Sequence, residues 1–268
     1  MTIAEFNAKL NIIFPPETAW SGDKIGLQID RIPNDEQLSK VLIAYELNQE
    51  VLREAIENTV ECICVFHPLI FKPLETISST DRIGSLVHTL IRHNIGLIVI
   101  HTNFDTHPMG TNALAAKALG LMQNSIQPLI PDINHDNFGM GIVGNLVPAM
   151  SALDFAARCS EVFGSPIRYC IGNTDEIQKV AIVCGSGFSY LQEAIDSKAN
   201  CFITADVKYH GFHEANNTIM LIDPGHAEME RFVTQGIFSI VKDIQDFSGM
   251  KFIQSQISTS PVKYFQSK

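Results

Sequence analysis

Histidine and carboxylate side chains gather where predicted β-strands end, and this combination is typical of sites for divalent metal ions. The chain has 268 residues but only nine histidines, and four strand ends each bring a histidine within a few residues of a carboxylate. Mixed imidazole and carboxylate sets suit Zn, Mn, Fe or Co, whereas oxygen-only sets suit Mg or Ca. The sequence therefore predicts a divalent-metal site built from strand-end residues.

The strongest pair is His226 with Glu230, four residues apart. On a helix both side chains project from one face, about 6 Å apart, so they can hold one ion. Together with His67 and Asp105 they form a candidate set of four ligands, in which a carboxylate such as Asp105 can bridge two metals. His101, four residues before Asp105, is the natural candidate for a residue that supports the metal ligands without binding the metal, or for a proton-transfer group.

Each of these signals also has a purely structural interpretation. A histidine at a strand end can be a hydrogen-bonded structural residue, and His226 with Glu230 can be a solvated pair on a helix surface. Asp206 and His210 have the spacing of a helix start, with Asp206 as the cap. The turn Gly185-Ser186-Gly187 can present N–H groups to phosphate, although close strand–helix packing is the interpretation we favour. The missing third glycine argues against NAD.

The elements that must position these residues are short apolar strands separated by helical patterns, which predicts an α/β fold with largely parallel mixed sheets. In such sheets ligands bind outside the carboxyl ends of the strands, where loops and helix N-termini converge. The predicted strands are Lys40–Tyr45, Glu61–Val65, Gly96–Ile100, Lys179–Cys184, Asn200–Thr204 and Thr218–Ile222. The predicted helices are Gln49–Asn58, Ile83–Asn94, Asn112–Leu119, Ser189–Ser197 and Glu228–Phe247. Asn48 is a candidate N-cap for the first of them.

An internal repeat at an offset of 139 residues divides the chain into related halves. Residues 40–62 align without gaps to residues 179–201, with eight of 23 positions identical. The Pro-, Asn-, Asp- and Gly-rich stretch Gln127–Gly144 is the best candidate for a boundary. We therefore expect two related α/β domains, 1–127 and 128–268, with the metal site at the strand carboxyl ends between them. The C-terminal segment is free to pack back on the first domain.

Composition excludes several classes of protein. The 29 acidic and 19 basic residues give a net charge of −10, which opposes binding to a nucleic-acid backbone. The N-terminus lacks the basic and apolar regions of a signal peptide, and the apolar runs are too short to span a bilayer. Cys62 and Cys64, separated by one residue, do not have the spacing of a zinc knuckle or a redox dithiol. We expect a cytoplasmic protein with reduced thiols and no membrane partner.

The strand-end motifs resemble those of the dinuclear-metal-centre toroid family, the NGG-one-interacting-factor-three-like proteins often labelled GTP cyclohydrolase I type 2 homologues. The resemblance covers nearly the whole chain, in the short form without a middle insertion domain. It rests on Trp20 with Gly26-Leu27-Gln28, His67-Pro68-Leu69-Ile70-Phe71, His101-Thr102-Asn103-Phe104-Asp105, Cys184-Gly185-Ser186-Gly187, the run from Ile203 to His210, and Gly225-His226 with Glu230.

This resemblance implies that the two α/β domains are interlinked. It also implies a toroidal homohexamer, a trimer of dimers, with paired metals on its inner surface. By position, the family's metal ligands fall on four residues, His67, Asp105, His226 and Glu230. The family usually has two adjacent histidines before the Pro-Leu pair, and the first of them is Phe66 here. One metal position therefore lacks a ligand, so we expect one or two divalent ions per chain.

Two functions remain open from the sequence. The first is a metal-dependent hydrolase, similar to GTP cyclohydrolase I type 2, acting on a small phosphorylated or nucleotide-like substrate. In that case His101 and His210 are the candidate catalytic residues that move protons, because histidine titrates near neutral pH. The second is a non-enzymatic, metal-binding hexameric scaffold or regulator with a degenerate site, which Phe66 favours. The sequence does not decide whether the protein is an enzyme.

Overall fold

The computed structural model describes residues 1–33 and 35–265, and the chain forms two compact units. The first unit contains Met1–Phe104 and Val233–Ser260, and the second contains Asp105–Phe232 and the segment that begins at Pro261. Both units are therefore discontinuous in sequence. Each unit is built on a mixed sheet flanked by helices, which confirms the predicted two-domain α/β fold class.

The first unit has a five-stranded sheet in the order β1-β4-β3-β2-β11. Its strands are β1 (Gly26–Ile29), β2 (Lys40–Ala44), β3 (Cys62–Val65), β4 (Gly96–Val99) and β11 (Lys251–Gln254). All neighbours are parallel except β1, which runs antiparallel to β4. The central strands β3 and β4 are buried along their whole length, as expected for a parallel sheet covered on both faces.

Side-chain caps define where several helices of the first unit begin. Its helices are α1 (Ile3–Ile13), α2 (Gln49–Glu57), α3 (Arg82–Arg92) and α10 (Val233–Lys242). Asn48, the predicted cap of α2, accepts a hydrogen bond from the Val51 N–H at 2.8 Å. Asp81 caps α3 in the same way, and Thr2 forms a capping box with Glu5 at the start of α1. A four-residue helix, α4 (Thr102–Asp105), follows β4.

The second unit has a six-stranded sheet in the order β5-β6-β8-β9-β10-β7. Its strands are β5 (Gln127–Pro131), β6 (Gly139–Ser151), β7 (Arg168–Cys170), β8 (Glu176–Ile182), β9 (Cys201–Ile203) and β10 (Met220–Asp223). Its helices are α5 (Thr111–Leu119), α6 (Ala152–Phe163), α7 (Leu191–Asp196), α8 (Tyr209–Ala215) and α9 (His226–Met229). Strands β8, β9 and β10 are parallel, and the remaining pairs are antiparallel.

The stretch predicted as a domain boundary, Gln127–Gly144, lies inside the second unit. There it forms most of the antiparallel hairpin of β5 and β6. Asp132 accepts hydrogen bonds from the N–H groups of Asn134 and His135 in the turn, at 2.8 and 3.0 Å. Residues such as Asp, Asn, Pro and Gly favour any chain reversal. The composition of this stretch therefore predicts a chain reversal, but it does not distinguish a hairpin turn from a linker between domains.

The predicted repeat reappears as matching local structure. The pairing register of β2 with β3 is reproduced 139 residues later by β8 with β9. Lys40 donates to the Asn58 carbonyl at 2.7 Å, and Lys179 donates to the Ser197 carbonyl at 2.6 Å. Both lysines therefore bind the C-terminal end of the helix that follows their strand.

Each unit has its own buried apolar core. In the first unit it packs α2 and α3 against the sheet, and in the second it lies on both faces of β8, β9 and β10. Among the helices of residues 1–33 and 35–265, none combines the length and the apolar character needed to cross a membrane.

Candidate metal centre

His226 of the second unit lies between two carboxylates. It begins helix α9, immediately after strand β10 and Gly225. Its Nε2 atom is 3.2 Å from Glu230 Oε2, and its Nδ1 atom is 2.7 Å from Asp206 Oδ2. The Glu230 side chain is only 4% exposed, whereas that of His226 is 34% exposed. The His226 imidazole therefore has a carboxylate partner at each ring nitrogen. One of these partners, Glu230, is buried, whereas the imidazole itself is partly exposed to solvent.

These partners change the protonation of His226. Burial alone lowers its pKa, but the hydrogen bond and charge of Glu230, followed by those of Asp206, outweigh burial and raise the pKa to about 10. Without a metal, the ring is therefore an imidazolium at neutral pH. Asp206 responds in the opposite sense: burial raises its pKa, but the hydrogen bonds from Ser186 and His226 lower it below its usual value.

The spacing between His226 and Glu230 also suits a shared cation. A zinc-like ion bonds imidazole nitrogen and carboxylate oxygen at about 2.0–2.2 Å, which places two neighbouring ligand atoms about 2.8–3.5 Å apart for angles at the ion between about 90° and 110°. The observed 3.2 Å between Nε2 and Oε2 falls in this range. The proton on Nε2 and such an ion would occupy the same place, so the two are alternatives.

Gly185 leaves the space that this carboxylate needs. It follows strand β8 in a left-handed conformation, with φ of +71°, which favours glycine. A β-carbon at this position would lie 2.7 Å from Glu230 Oε1 and 3.6 Å from His226 Nε2. Gly187, two residues on, would meet Val183 and the Thr204 hydroxyl instead. Gly185 therefore leaves space for the side chains of Glu230 and His226, and Gly187 allows close packing against Val183 and Thr204.

Asp105 lies close to the same acidic position. Burial raises the pKa of the Cys184 thiol, and the nearby negative charges of Glu230 and Asp105 raise it further. Asn112 joins the two segments, because its side chain donates to the Asp105 carbonyl and accepts from the Cys184 N–H, each at 2.8 Å. Asp105 and Glu230 therefore both lie near the Cys184 thiol.

Asp206 does not have the predicted role of a helix cap. Helix α8 begins at Tyr209, and its N-cap residue is Lys208. Asp206 lies before this helix and has a left-handed backbone, with φ of 58°. Its carboxylate instead accepts hydrogen bonds from the Ser186 hydroxyl and from His226.

The first unit contributes a cluster of aromatic rings around His67 and His101, whose centroids are 5.3 Å apart. His67 follows β3, and its Nε2 atom is hydrogen-bonded to the Tyr45 hydroxyl at 2.9 Å. Phe66 is fully buried and packs edge-on against both histidines, at 4.9 and 5.2 Å. The residue that replaces the usual histidine is therefore a core side chain.

Asp23 fixes the orientation of His101. Its carboxylate oxygens accept from His101 Nδ1 at 2.8 and 2.9 Å, and one of them also accepts from the Thr102 N–H at 3.1 Å. Burial of Asp23 raises its pKa, but the hydrogen bonds from His101 and Thr102 outweigh burial and hold the pKa well below its usual range. Asp23 therefore remains ionised, and Nδ1 of His101 carries a proton.

Two further histidines, His210 and His107, have different surroundings. His210 is exposed on α8, with ring contacts to Tyr209 and His213 at 5.4 and 6.2 Å. His107 is buried, and burial lowers its pKa to about 4, so its ring is neutral at pH 7. The Met109 N–H donates to its Nδ1 atom at 3.1 Å.

The fold and these sites define a two-unit α/β protein with histidine and carboxylate side chains at its strand ends. A family model for Duf34/NIF3 (NGG1p interacting factor 3) matches residues 1–261, so the chain belongs to this family. It is 33% identical over 269 residues to a Lactococcus lactis protein named GTP cyclohydrolase 1 type 2 homolog, covering 97% of this chain and 98% of the relative.

Other relatives agree with this assignment. A Streptococcus pneumoniae protein of the same name is 30% identical, with 92% of this chain and 93% of the relative covered. The crystal structure of a hypothetical protein from Staphylococcus aureus superposes with a TM-score of 0.89, at 28% identity and 99% coverage of both chains. A Bacillus cereus protein related to NIF3 superposes with a TM-score of 0.86 at 23% identity and 99% coverage of both chains, which shows the shared fold.

Proposed function

We propose that this protein binds divalent metal ions and is a metal-dependent hydrolase for a small phosphorylated or nucleotide-like substrate. The observation that carries the proposal is the pair His226 and Glu230. Their ligand atoms have the separation of two donors on one ion, and Gly185 leaves the space beside them. Glu230 is almost fully buried, and its charge is balanced by the His226 imidazolium in the metal-free protein, so a bound cation would take the place of the Nε2 proton beside the same carboxylate.

The proposed ligands are His226, Glu230 and Asp105 of the second unit, together with His67 of the first. Asp105 is supported because its charge raises the pKa of the Cys184 thiol, as the charge of Glu230 also does. Support for His67 is its place at the end of β3, the kind of position that carries ligands in α/β proteins. A donor set of imidazole and carboxylate favours Zn, Mn, Fe or Co over Mg or Ca.

A bound ion of this kind would polarise a scissile group and lower the pKa of a coordinated water. The chain's own contribution would be to place proton-transfer groups beside the substrate. His101 is the first candidate, because Asp23 holds its Nδ1 proton and thereby makes Nε2 the nitrogen that exchanges protons. His210, exposed on α8, is the second candidate.

The substrate class follows from the relatives, which carry the name GTP cyclohydrolase 1 type 2 homolog. The test is turnover of a panel of nucleotides and phosphorylated metabolites, including GTP, by protein loaded with Mn²⁺ or Zn²⁺. Wild-type turnover should disappear in Glu230→Gln and persist in Glu228→Gln, because Glu228 lies on the same helix but is hydrogen-bonded to Tyr264. Equal turnover by Glu230→Gln would refute the proposed site.

A second candidate function, a metal-binding hexameric scaffold or regulator without turnover, is favoured by Phe66. This side chain is fully buried between two histidines, at the position where the family resemblance expects a ligand. If the wild-type protein binds metal but turns over no compound in the panel, the scaffold is the better account. Turnover gained by Phe66→His would then identify a degenerate enzyme, and sedimentation velocity would test the hexamer.

A further inference from the structure

We propose that Asp206 is the positioning residue that orients His226 and fixes its tautomer for metal binding. This inference rests on the proposed function and adds a residue outside the proposed ligand set. Asp206 follows strand β9, and its Oδ2 atom lies 2.7 Å from His226 Nδ1. The two residues come from the ends of adjacent parallel strands, β9 and β10, so the sheet itself sets their separation.

The hydrogen bond decides which nitrogen faces the ion. An ionised carboxylate only accepts hydrogen bonds, so Asp206 requires a proton on His226 Nδ1. Nε2, the atom beside Glu230, is then the nitrogen that can give up its proton to bind an ion. Histidines that bind metals typically donate their other ring N–H to such a carboxylate, which orients the ring and raises its basicity.

The backbone of Asp206 shows that its position is specifically maintained. Its φ of 58° lies in the left-handed region, where an aspartate is uncommon and the conformation has an energetic cost. Helix α8 does not need this conformation, because Lys208 begins that helix. The Ser186 hydroxyl donates to the same Oδ2 atom and thus holds the carboxylate from its other side.

The internal repeat gives Asp206 a counterpart in the first unit. At the offset of 139 residues, Asp206 corresponds to His67, and both lie in the segment that follows the second strand of the repeat. In the first unit this position is occupied by His67, a proposed ligand. In the second unit it is occupied by Asp206, which orients the proposed ligand His226. In the second unit this residue is hydrogen-bonded to His226, and in the first it is hydrogen-bonded to Tyr45.

Asp206→Asn is the decisive variant. Asparagine tolerates the left-handed backbone, so the fold should be retained, but a neutral amide accepts more weakly and can also donate, which leaves the tautomer unfixed. We expect Zn²⁺ affinity to fall about 10- to 100-fold. Asp132→Asn is the matched control, because Asp132 is paired with His135 at 3.1 Å in the β5–β6 turn. Zn²⁺ affinity in the control should be unchanged.

Nitrogen-15 NMR of labelled histidines supplies a readout that does not depend on activity. In the zinc-loaded wild type, His226 should show a protonated Nδ1 and a zinc-bound Nε2, and Asp206→Asn should lose the protected Nδ1–H signal. Unchanged affinity together with an unchanged Nδ1–H signal in Asp206→Asn would overturn the role of Asp206. Failure of the wild type to bind Zn²⁺ is a separate result, which would overturn the proposed function and this inference with it.

Discussion

The carboxylate of Glu230 approaches Gly185 so closely that a β-carbon on Gly185 would lie 2.7 Å from Glu230 Oε1. This contact makes the turn after β8 part of the candidate metal centre, because a side chain on Gly185 would displace one of its proposed ligands. The local chain geometry and the chemistry of the site are therefore linked at one residue.

Gly185→Ala should lose both stability and metal binding. Alanine at φ of +71° costs about 1–2 kcal/mol of folding free energy, and its β-carbon would push the Glu230 carboxylate away. Gly22→Ala is the control, since Gly22 has φ of +89° and no atom within 4 Å of a built β-carbon. Urea denaturation should show a similar loss for both variants, whereas only Gly185→Ala should bind Zn²⁺ weakly. Normal Zn²⁺ binding by Gly185→Ala would contradict the proposed geometry.

Metal binding should release a proton from His226. Its pKa of about 10 means that Nε2 is protonated at neutral pH in the metal-free protein, and an ion must displace that proton. Between pH 7 and 9, about one proton should be released per ion bound, and affinity should therefore rise with pH up to the pKa. Calorimetric titrations in buffers of different ionisation enthalpy measure this number. A binding enthalpy that is independent of the buffer would rule out proton displacement from His226.

Asp23 should make stability depend on pH in the acidic range. Its pKa in the folded state lies well below the usual 3.8, so its contribution is present above about pH 4 and is lost as the pH falls through the folded-state pKa. Asp23→Asn should destabilise the protein by about 1–3 kcal/mol at pH 7. The difference from wild type should shrink below pH 4, which urea denaturation at several pH values would reveal. A constant difference from pH 7 to pH 3 would argue against this role.

The periodic parts of the structure could be predicted from the sequence because they depend on local patterns. Apolar strands such as β3 and β4 and the cap Asn48 follow from hydrophobic runs and side-chain chemistry, and they appear where expected. The predicted helix Glu228–Phe247 was wrong, since α9 ends at Met229 and α10 begins at Val233. Apolar periodicity does not predict that Glu230 is buried. Nor does it predict that the chain passes from the second unit to the first between Phe232 and Val233.

The supporting residues of the site could not be predicted in this way. Asp23 is 78 residues from His101, and Asn112 is 72 residues from Cys184, so no local pattern links either pair. Asp206 has the spacing of a helix cap, but its carboxylate is hydrogen-bonded to His226, which lies 20 residues further along the chain. The repeat offered one usable signal, because the 139-residue offset places Asp206 at the position of His67.

The central claim, that Glu230 and His226 hold a divalent ion, is tested most directly by counting metal ions per chain. Wild type, Glu230→Gln, His67→Ala and Glu228→Gln would be loaded with Zn²⁺ or Mn²⁺, dialysed, and measured by elemental mass spectrometry. We predict one or two ions per chain in wild type and Glu228→Gln, a loss in Glu230→Gln, and fewer ions in His67→Ala if His67 joins the same site. Wild-type metal content in Glu230→Gln would contradict the account.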